Sequence, residues 1–133
     1  MIIIADSGST KTDWRLIEGT EIRSMTTQGI NPYHSSEKEI IEELEKLDLD
    51  GNERNIFHIF FYGSGVTNEK MKEVIRKSLQ LRIGVHPDIQ VEDDLLGVAR
   101  SLFQQNSGIA CILGTGSNSC LYMDGSIRDK IPA

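Results

Sequence analysis

The residues best suited to chemistry lie in two turns and at the end of one predicted strand. Asp6-Ser7-Gly8-Ser9-Thr10-Lys11-Thr12-Asp13 packs hydroxyls, a lysine and a glycine between two carboxylates. Gly8 permits close backbone approach, and the N–H groups of such a turn form a concavity for anions. Thr10, Lys11 and Thr12 add donors, and Asp6 at the strand end could hold Mg²⁺ through water. The plain alternative is a polar hairpin turn. A P-loop is excluded, because GxxxxGK[ST] is absent and the following segment alternates like a strand where a P-loop requires a helix. The second turn, Gly114-Thr115-Gly116-Ser117-Asn118-Ser119, joins two apolar segments. A tight hairpin needs only two turn residues, so two glycines and four hydrogen-bonding side chains exceed what the turn requires.

The third constellation is Glu92-Asp93-Asp94, at the end of a predicted strand and the start of a helix. One aspartate there caps the helix. The other is placed to act as a general base or a metal ligand, since sites in such sheets gather at the carboxyl ends of strands. Gly29-Ile30-Asn31-Pro32 and Tyr62-Gly63-Ser64-Gly65 each offer one polar side chain, Asn31 or Ser64, within a turn that follows a strand. His34, His58 and His86 have no ligand-like spacing to one another or to the cysteines, which argues against zinc.

Hydrophobic periodicity supplies the elements that must position these groups. Ile2 to Ala5 reads as a buried strand, and Thr12 to Ile17 alternates with Trp14 and Leu16 inward. Glu18-Gly19-Thr20 is a turn, and Ile22 to Thr27 completes an antiparallel meander. Ser36 and Glu39 form a capping box ahead of Ile40, Ile41, Leu44 and Leu47 at helical spacing. Ile56 to Tyr62 is nearly unbroken apolar sequence, as in a central strand covered on both faces. A second helix carries Met71, Val74, Ile75 and Leu79, a strand carries Ile89 and Val91, and a third helix carries Leu95, Val98, Ala99 and Leu102. Asn106-Ser107-Gly108 closes that helix, and a hairpin over 109–123 follows. The order β-β-β-α-β-α-β-α-β-β implies an α/β fold: a mixed sheet, an antiparallel meander followed by β-α-β units, with helices on its faces. That is the ribonuclease H-like order.

The composition is that of a soluble globular domain. Of the 133 residues 38% are apolar and 26% charged, against wholesale disorder. The net charge of −6 disfavours phosphate backbones, so nucleic acid is not an expected partner. Only five apolar residues precede Asp6, too few for a signal peptide or a membrane span. Cys111 and Cys120 form no CxxC pair and fit a reducing cytoplasm. A chain this long predicts one domain and is too short for a complete two-domain enzyme.

Taken together, the Asp-x-Gly-x-Thr-x-Thr turn and the Gly-Thr-Gly-Ser hairpin about a hundred residues later resemble the two phosphate loops of the actin-like ATPase and sugar kinase superfamily. Within it the chain looks most like the BadF/BadG/BcrA/BcrD-type ATPases, the family that contains N-acetylglucosamine kinases. The resemblance runs the length of the chain. It implies an ATP-dependent kinase acting on a sugar hydroxyl, with ATP and Mg²⁺ as cofactors and Mg²⁺ near Asp6. Phosphate binding would fall to Gly8, Ser9, Thr10, Lys11 and Thr12 and to Gly114, Thr115, Gly116 and Ser117. Asp94 would be the general base, matching the family's Asn-Asp-x-x-Gly stretch, where this chain has Asp93-Asp94-Leu95-Leu96-Gly97. Asn31 and Ser64 match sugar-binding positions.

The same resemblance implies that residues 1–108 form the N-terminal ATPase and sugar-binding domain and that 109–133 open a second domain. On that basis the isolated polypeptide is expected to bind ATP weakly and to turn over little. Partners are expected to be a small sugar, with no membrane and no nucleic acid, and apolar surface could drive a homodimer. Three other readings compete: a two-metal nuclease using Asp6 and Asp94, a dehydratase activator with an iron–sulfur cluster on Cys111 and Cys120, and a non-catalytic sugar- or nucleotide-sensing module.

Overall fold

The computed structural model describes residues 1–114 and 117–131. The chain opens with three antiparallel strands: β1 (Ile2–Ser7), β2 (Lys11–Glu18) and β3 (Glu21–Gln28). Alternation sets their faces. Ile3, Ala5 and Ser7 of β1 and Thr12, Trp14 and Leu16 of β2 are buried together, while Ile4 and Asp6 point to the other side. Gly19, at φ +60°, makes the turn into β3.

Two β-α-β steps follow. Helix α1 (Glu37–Glu45) starts at a complete capping box, with Glu39 N–H donating to Ser36 Oγ at 3.2 Å and Ser36 N–H donating to Glu39 Oε1 at 3.2 Å. Strand β4 (His58–Gly63) leads to α2 (Glu69–Ile83), capped by Asn68 accepting from the Met71 N–H at 2.9 Å. Strand β5 (Asp88–Asp93) leads directly into α3 (Asp94–Phe103). The five-stranded sheet runs β3-β2-β1-β4-β5, with β4 parallel to both β1 and β5. The expected meander and parallel additions are therefore present. Helices α1 and α2 pack together, and Ile40, Leu44, Ile75 and Leu79 meet Ile3, Trp14, Leu16 and Phe61 in the main core.

Helix α3 lies on the opposite face. Gly97 lets it come close: a Cβ there would sit 2.7 Å from Cγ of Tyr62 on β4. This helix covers only part of that face, which explains why the apolar run at 56–62 is not buried on both sides. Ile59 and Phe61 are fully buried, whereas Phe60 and Tyr62 are half-buried. Strand β4 is an interior strand, paired with β1 on one side and β5 on the other.

The last part of the chain departs further from expectation. The predicted hairpin is a separate three-stranded antiparallel sheet of β6 (Gly108–Leu113), β7 (Ser117–Met123) and β8 (Ser126–Ile131). Strands β7 and β8 are joined by Asp124-Gly125, both at positive φ (53° and 80°), as a two-residue hairpin of the I′ kind requires. Ala110, Cys120 and Tyr122 face α3 and form a second core with Leu95 and Ala99. Tyr122 stacks on Phe103 and donates its hydroxyl to the Gln104 carbonyl at 2.9 Å. Strand β6 is an outer strand, with Ile109, Cys111 and Leu113 exposed.

Helix α3 is thus shared between two sheets, and its first turn carries Asp94. Replacing Gly97 with alanine raises intrinsic helix propensity by about 1 kcal/mol. The clash with Tyr62 outweighs it, and a net loss of about 1–3 kcal/mol is expected in urea unfolding followed by circular dichroism. A Gly97→Ala protein at least as stable as its parent would refute the close approach.

Candidate functional site

The β1–β2 turn folds tightly because the Gly8 N–H donates to the Lys11 carbonyl at 2.9 Å. Beneath it lies the Ser7 hydroxyl, fully buried. It sits 2.8 Å from Thr12 Oγ1 and 3.1 Å from the Ile30 carbonyl, and it accepts from the Ile30 N–H at 2.9 Å. The Ser7 carbonyl accepts from the Ser64 N–H at 2.8 Å. One residue therefore binds the β1–β2 turn to the Asn31 loop and the Ser64 loop. Gly29 completes the contact: its N–H reaches the Thr10 carbonyl at 3.1 Å, and a Cβ there would fall 2.5 Å from the Gly8 carbonyl oxygen.

A cleft of about 500 Å³ opens over this turn. Asp6, Gly8, Ser9, Thr10 and Lys11 line one side, Gly114 and Asn118 line the other, and Ser64 and Asp94 lie between. The structure thus gathers the β1–β2 turn, Gly114, Asn118 and Asp94 around one space, although they are distant in sequence. Other anticipated residues stand elsewhere. Thr12 Oγ1 is turned into the core and lies 2.9 Å from the Gln28 carbonyl as well as against Ser7. With two protons between them, the Ser7 and Thr12 hydroxyls can fill at most two of these three contacts at once, and Thr12 does not line the cleft. Ser117 pairs with Leu113 at the start of β7 and is exposed. Thr115 and Gly116 lie outside the described residues. Asn31 Oδ1 accepts from the Tyr33 N–H at 2.9 Å, and its carboxamide covers Gly65, beside Ser64 but outside the cleft lining. Ser64 Oγ is a buried hydroxyl without a hydrogen-bond partner among the described residues.

The carboxylates of Glu92-Asp93-Asp94 have three different fates. Glu92 pairs with Lys72 of α2 at 3.2 Å. Asp93 caps α3, its Oδ1 accepting from the Leu95 N–H at 2.8 Å, and its Oδ2 pairs with Lys130 of β8 at 2.6 Å. Asp94 makes no ion pair among the described residues and lines the cleft. Its pKa is pushed up from the ordinary 3.8 to about 6 by burial first, then by the negative charge of Asp93 and a hydrogen bond with it. Asp6 is raised too, by burial and then by repulsion from Asp13, its cross-strand partner, with Lys11 opposing the shift. Lys130 carries no sequence signal of its own, whereas Asp-Gly at 124–125 would have located the strand that bears it.

Oxygen donors that repel one another suit a hard cation. No group of three metal-ligating side chains occurs among the described residues; Asp6 lines the cleft without an ion pair among them, while Asp13 pairs with Lys11 at 3.3 Å. The cysteines do not share a ligand position. Cys120 opposes Ala110 on the face toward α3, while Cys111, opposite Ser119, is exposed on the outer face. No helix of the described residues is long and apolar enough to cross a membrane.

Among solved structures, the chain superposes with a TM-score of 0.66 on the ethanolamine utilization protein EutJ of Carboxydothermus hydrogenoformans, at 14% identity over 98% of this chain and 50% of that one. It superposes at 0.53 on YeaZ of Pseudomonas aeruginosa, at 12% identity over 98% of this chain and 66% of that one. The chain has the actin-like ATPase fold. Within that fold it is much more similar to a candidate N-acetylglucosamine kinase of Porphyromonas gingivalis, with a TM-score of 0.90 and 38% identity over 98% of this chain and 47% of that one. This agrees with the resemblance carried by the two glycine turns. The chain spans about half the length of the kinase-like protein and of EutJ. No family model matches the chain, and no curated protein does.

Asp94 gives this actin-like domain a pH signature. Its folded midpoint lies above the unfolded value, so the folded state binds the proton more tightly between the two. The stability this contributes is fully present below about pH 4 and lost as pH rises through about 6. Asp94→Asn is therefore expected to stabilise the protein at pH 7.5, by about 1 kcal/mol once solvent screening of a half-exposed group is allowed for. The gain should vanish near pH 4. Urea unfolding at the two pH values reads both, and equal effects at each would contradict the assignment.

Proposed function

We propose that the chain forms the phosphate- and sugar-binding part of an ATP-dependent amino-sugar kinase of the N-acetylglucosamine kinase type, moving the γ-phosphoryl group to a sugar hydroxyl. The observation that carries this reading is the convergence of two glycine turns and one half-buried carboxyl group on a single cleft. The similarity to the Porphyromonas gingivalis protein supports the sugar kinase class.

Phosphoryl transfer asks for position and charge neutralisation more than covalent chemistry. The Gly8–Lys11 turn, together with Gly114 opposite, would present backbone N–H groups and hydroxyls to the phosphate oxygens. Asp6 would help to hold Mg²⁺, which would supply neutralising charge to the phosphates. Asp94 would accept the proton of the attacking hydroxyl. A carboxyl midpoint of about 6 keeps it mostly ionised at pH 7 while making it a better base than an ordinary aspartate. Ser64, whose hydroxyl lacks a hydrogen-bond partner among the described residues, would bond the sugar, and Asn31 would hold the adjoining loop beside it.

Calorimetry separates the parts of this reading. The chain is expected to bind N-acetylglucosamine and, independently and more weakly, MgATP. Ser64→Ala should weaken the sugar and leave the nucleotide unchanged. In phosphotransfer assays Asp94→Asn should lower turnover about 10²–10⁴-fold. Absence of binding heat with both ligands would overturn the proposal.

A further inference from the structure

Three consecutive carboxylates occupy the junction of β5 and α3, and the two flanking the helix start are neutralised from different directions. Lys72 comes from α2 and reaches Glu92; Lys130 comes from β8 and reaches Asp93. The second contact joins the two sheets. Lys130 stands opposite Cys120 in the β7–β8 ladder, and Cys120 faces α3, so directly opposed side chains direct the lysine toward the helix start. The Asp93 side chain is only 18% exposed and its two oxygens are both engaged, one by the helix N–H and one by the ammonium.

We propose that Lys130 is a positioning residue: by holding Asp93 in the cap of α3, it leaves Asp94 as the carboxylate of the three that faces the acceptor. The inference deepens the kinase reading and rests on Asp94 as base. The N-terminal sheet supplies the base and the second sheet supplies the glycine turn of Gly114. Through Lys130 the second sheet also fixes the residue beside the base, so the two halves of the cleft are set by one ion pair as well as by α3.

The electrostatic surroundings of Asp94 determine what loss of Lys130 does. On its own helix the near charge is Asp93; from β1 comes Asp6, and from β2 come Asp13 and Lys11, which line the same cleft. Glu92 of β5 is held by Lys72 of α2, and the lining residues Ile112 of β6, Asn118 of β7 and Gly114, which follows β6, are uncharged. Without Lys130, the negative charge of Asp93 is no longer opposed, and Asp94 feels more repulsion. Without the Asp93 charge, it feels less.

The test is an NMR titration of the side-chain carboxyl of Asp94 in the chain labelled with ¹³C-aspartate. In Lys130→Met the midpoint is expected to rise above its parent value of about 6, whereas Lys130→Arg should keep it. In Asp93→Asn it should fall by about one unit, as removal of an adjacent like charge requires. An Asp94 midpoint unmoved in Lys130→Met overturns the proposal. Should that protein not fold, an unmoved midpoint in Asp93→Asn does the same. Failure of the kinase reading looks different: the titration shifts would remain while neither MgATP nor N-acetylglucosamine bound the parent chain.

Discussion

Much of this structure hangs on the hydroxyl of Ser7. It is a small polar group in a fully buried place, and burial without partners would cost a hydroxyl roughly 1–3 kcal/mol. Its bonds to Thr12 and Ile30 meet that cost, and its own carbonyl separately accepts from Ser64. They also do something else. Three loops that end three different strands are drawn to one point, and the cleft is the space those loops enclose. Removing the hydroxyl would break the ties to Thr12 and Ile30 and leave the backbone bonds from Ser64 to Ser7 and from Gly29 to Thr10.

Charge around the cleft follows a similar economy. The acidic residues are not spread evenly: Asp6 faces Asp13 across the β1–β2 ladder, and Asp94 follows Asp93 and Glu92. Lys72 and Lys130 come from distant elements to pair with Glu92 and Asp93, Lys11 pairs with Asp13 on its own strand, and Asp6 and Asp94 make no ion pair among the described residues. The cleft is lined by residues of the β1–β2 turn and by the carboxylates of Asp6, Asp13 and Asp94, with Lys11 offsetting part of their charge.

Local signals decided how much could be read in advance. Trp14 and Leu16 alternate in sequence and are buried in the structure, and the Ser36–Glu39 capping box forms with both of its bonds. The meander and the parallel additions follow from period and order alone. The role of Thr12 was not legible, because a threonine in a glycine turn looks the same whether its hydroxyl faces a ligand or a buried serine. Only the cross-strand register shows that it lies opposite Ser7. Strand β8 escaped notice because its residues, Ser-Ile-Arg-Asp-Lys-Ile, are mostly exposed and give almost no alternation. The Asp-Gly pair before it was the available signal. Lys130 could not be recognised as a partner of Asp93, since a contact across 37 residues between two sheets leaves no local trace.

The four outer strands of the two sheets differ in one respect that bears on how the protein behaves in solution. Strands β3, β5 and β8 all carry ionised side chains, among them Arg23, Asp88 and Lys130, which discourage another strand from adding to them. Strand β6, Gly-Ile-Ala-Cys-Ile-Leu, carries none. Its unpaired N–H and C=O groups form the one sheet border, among the described residues, where strand addition meets no charge. Edge-to-edge pairing is therefore least discouraged at the six residues of β6, whatever the net charge of the whole chain.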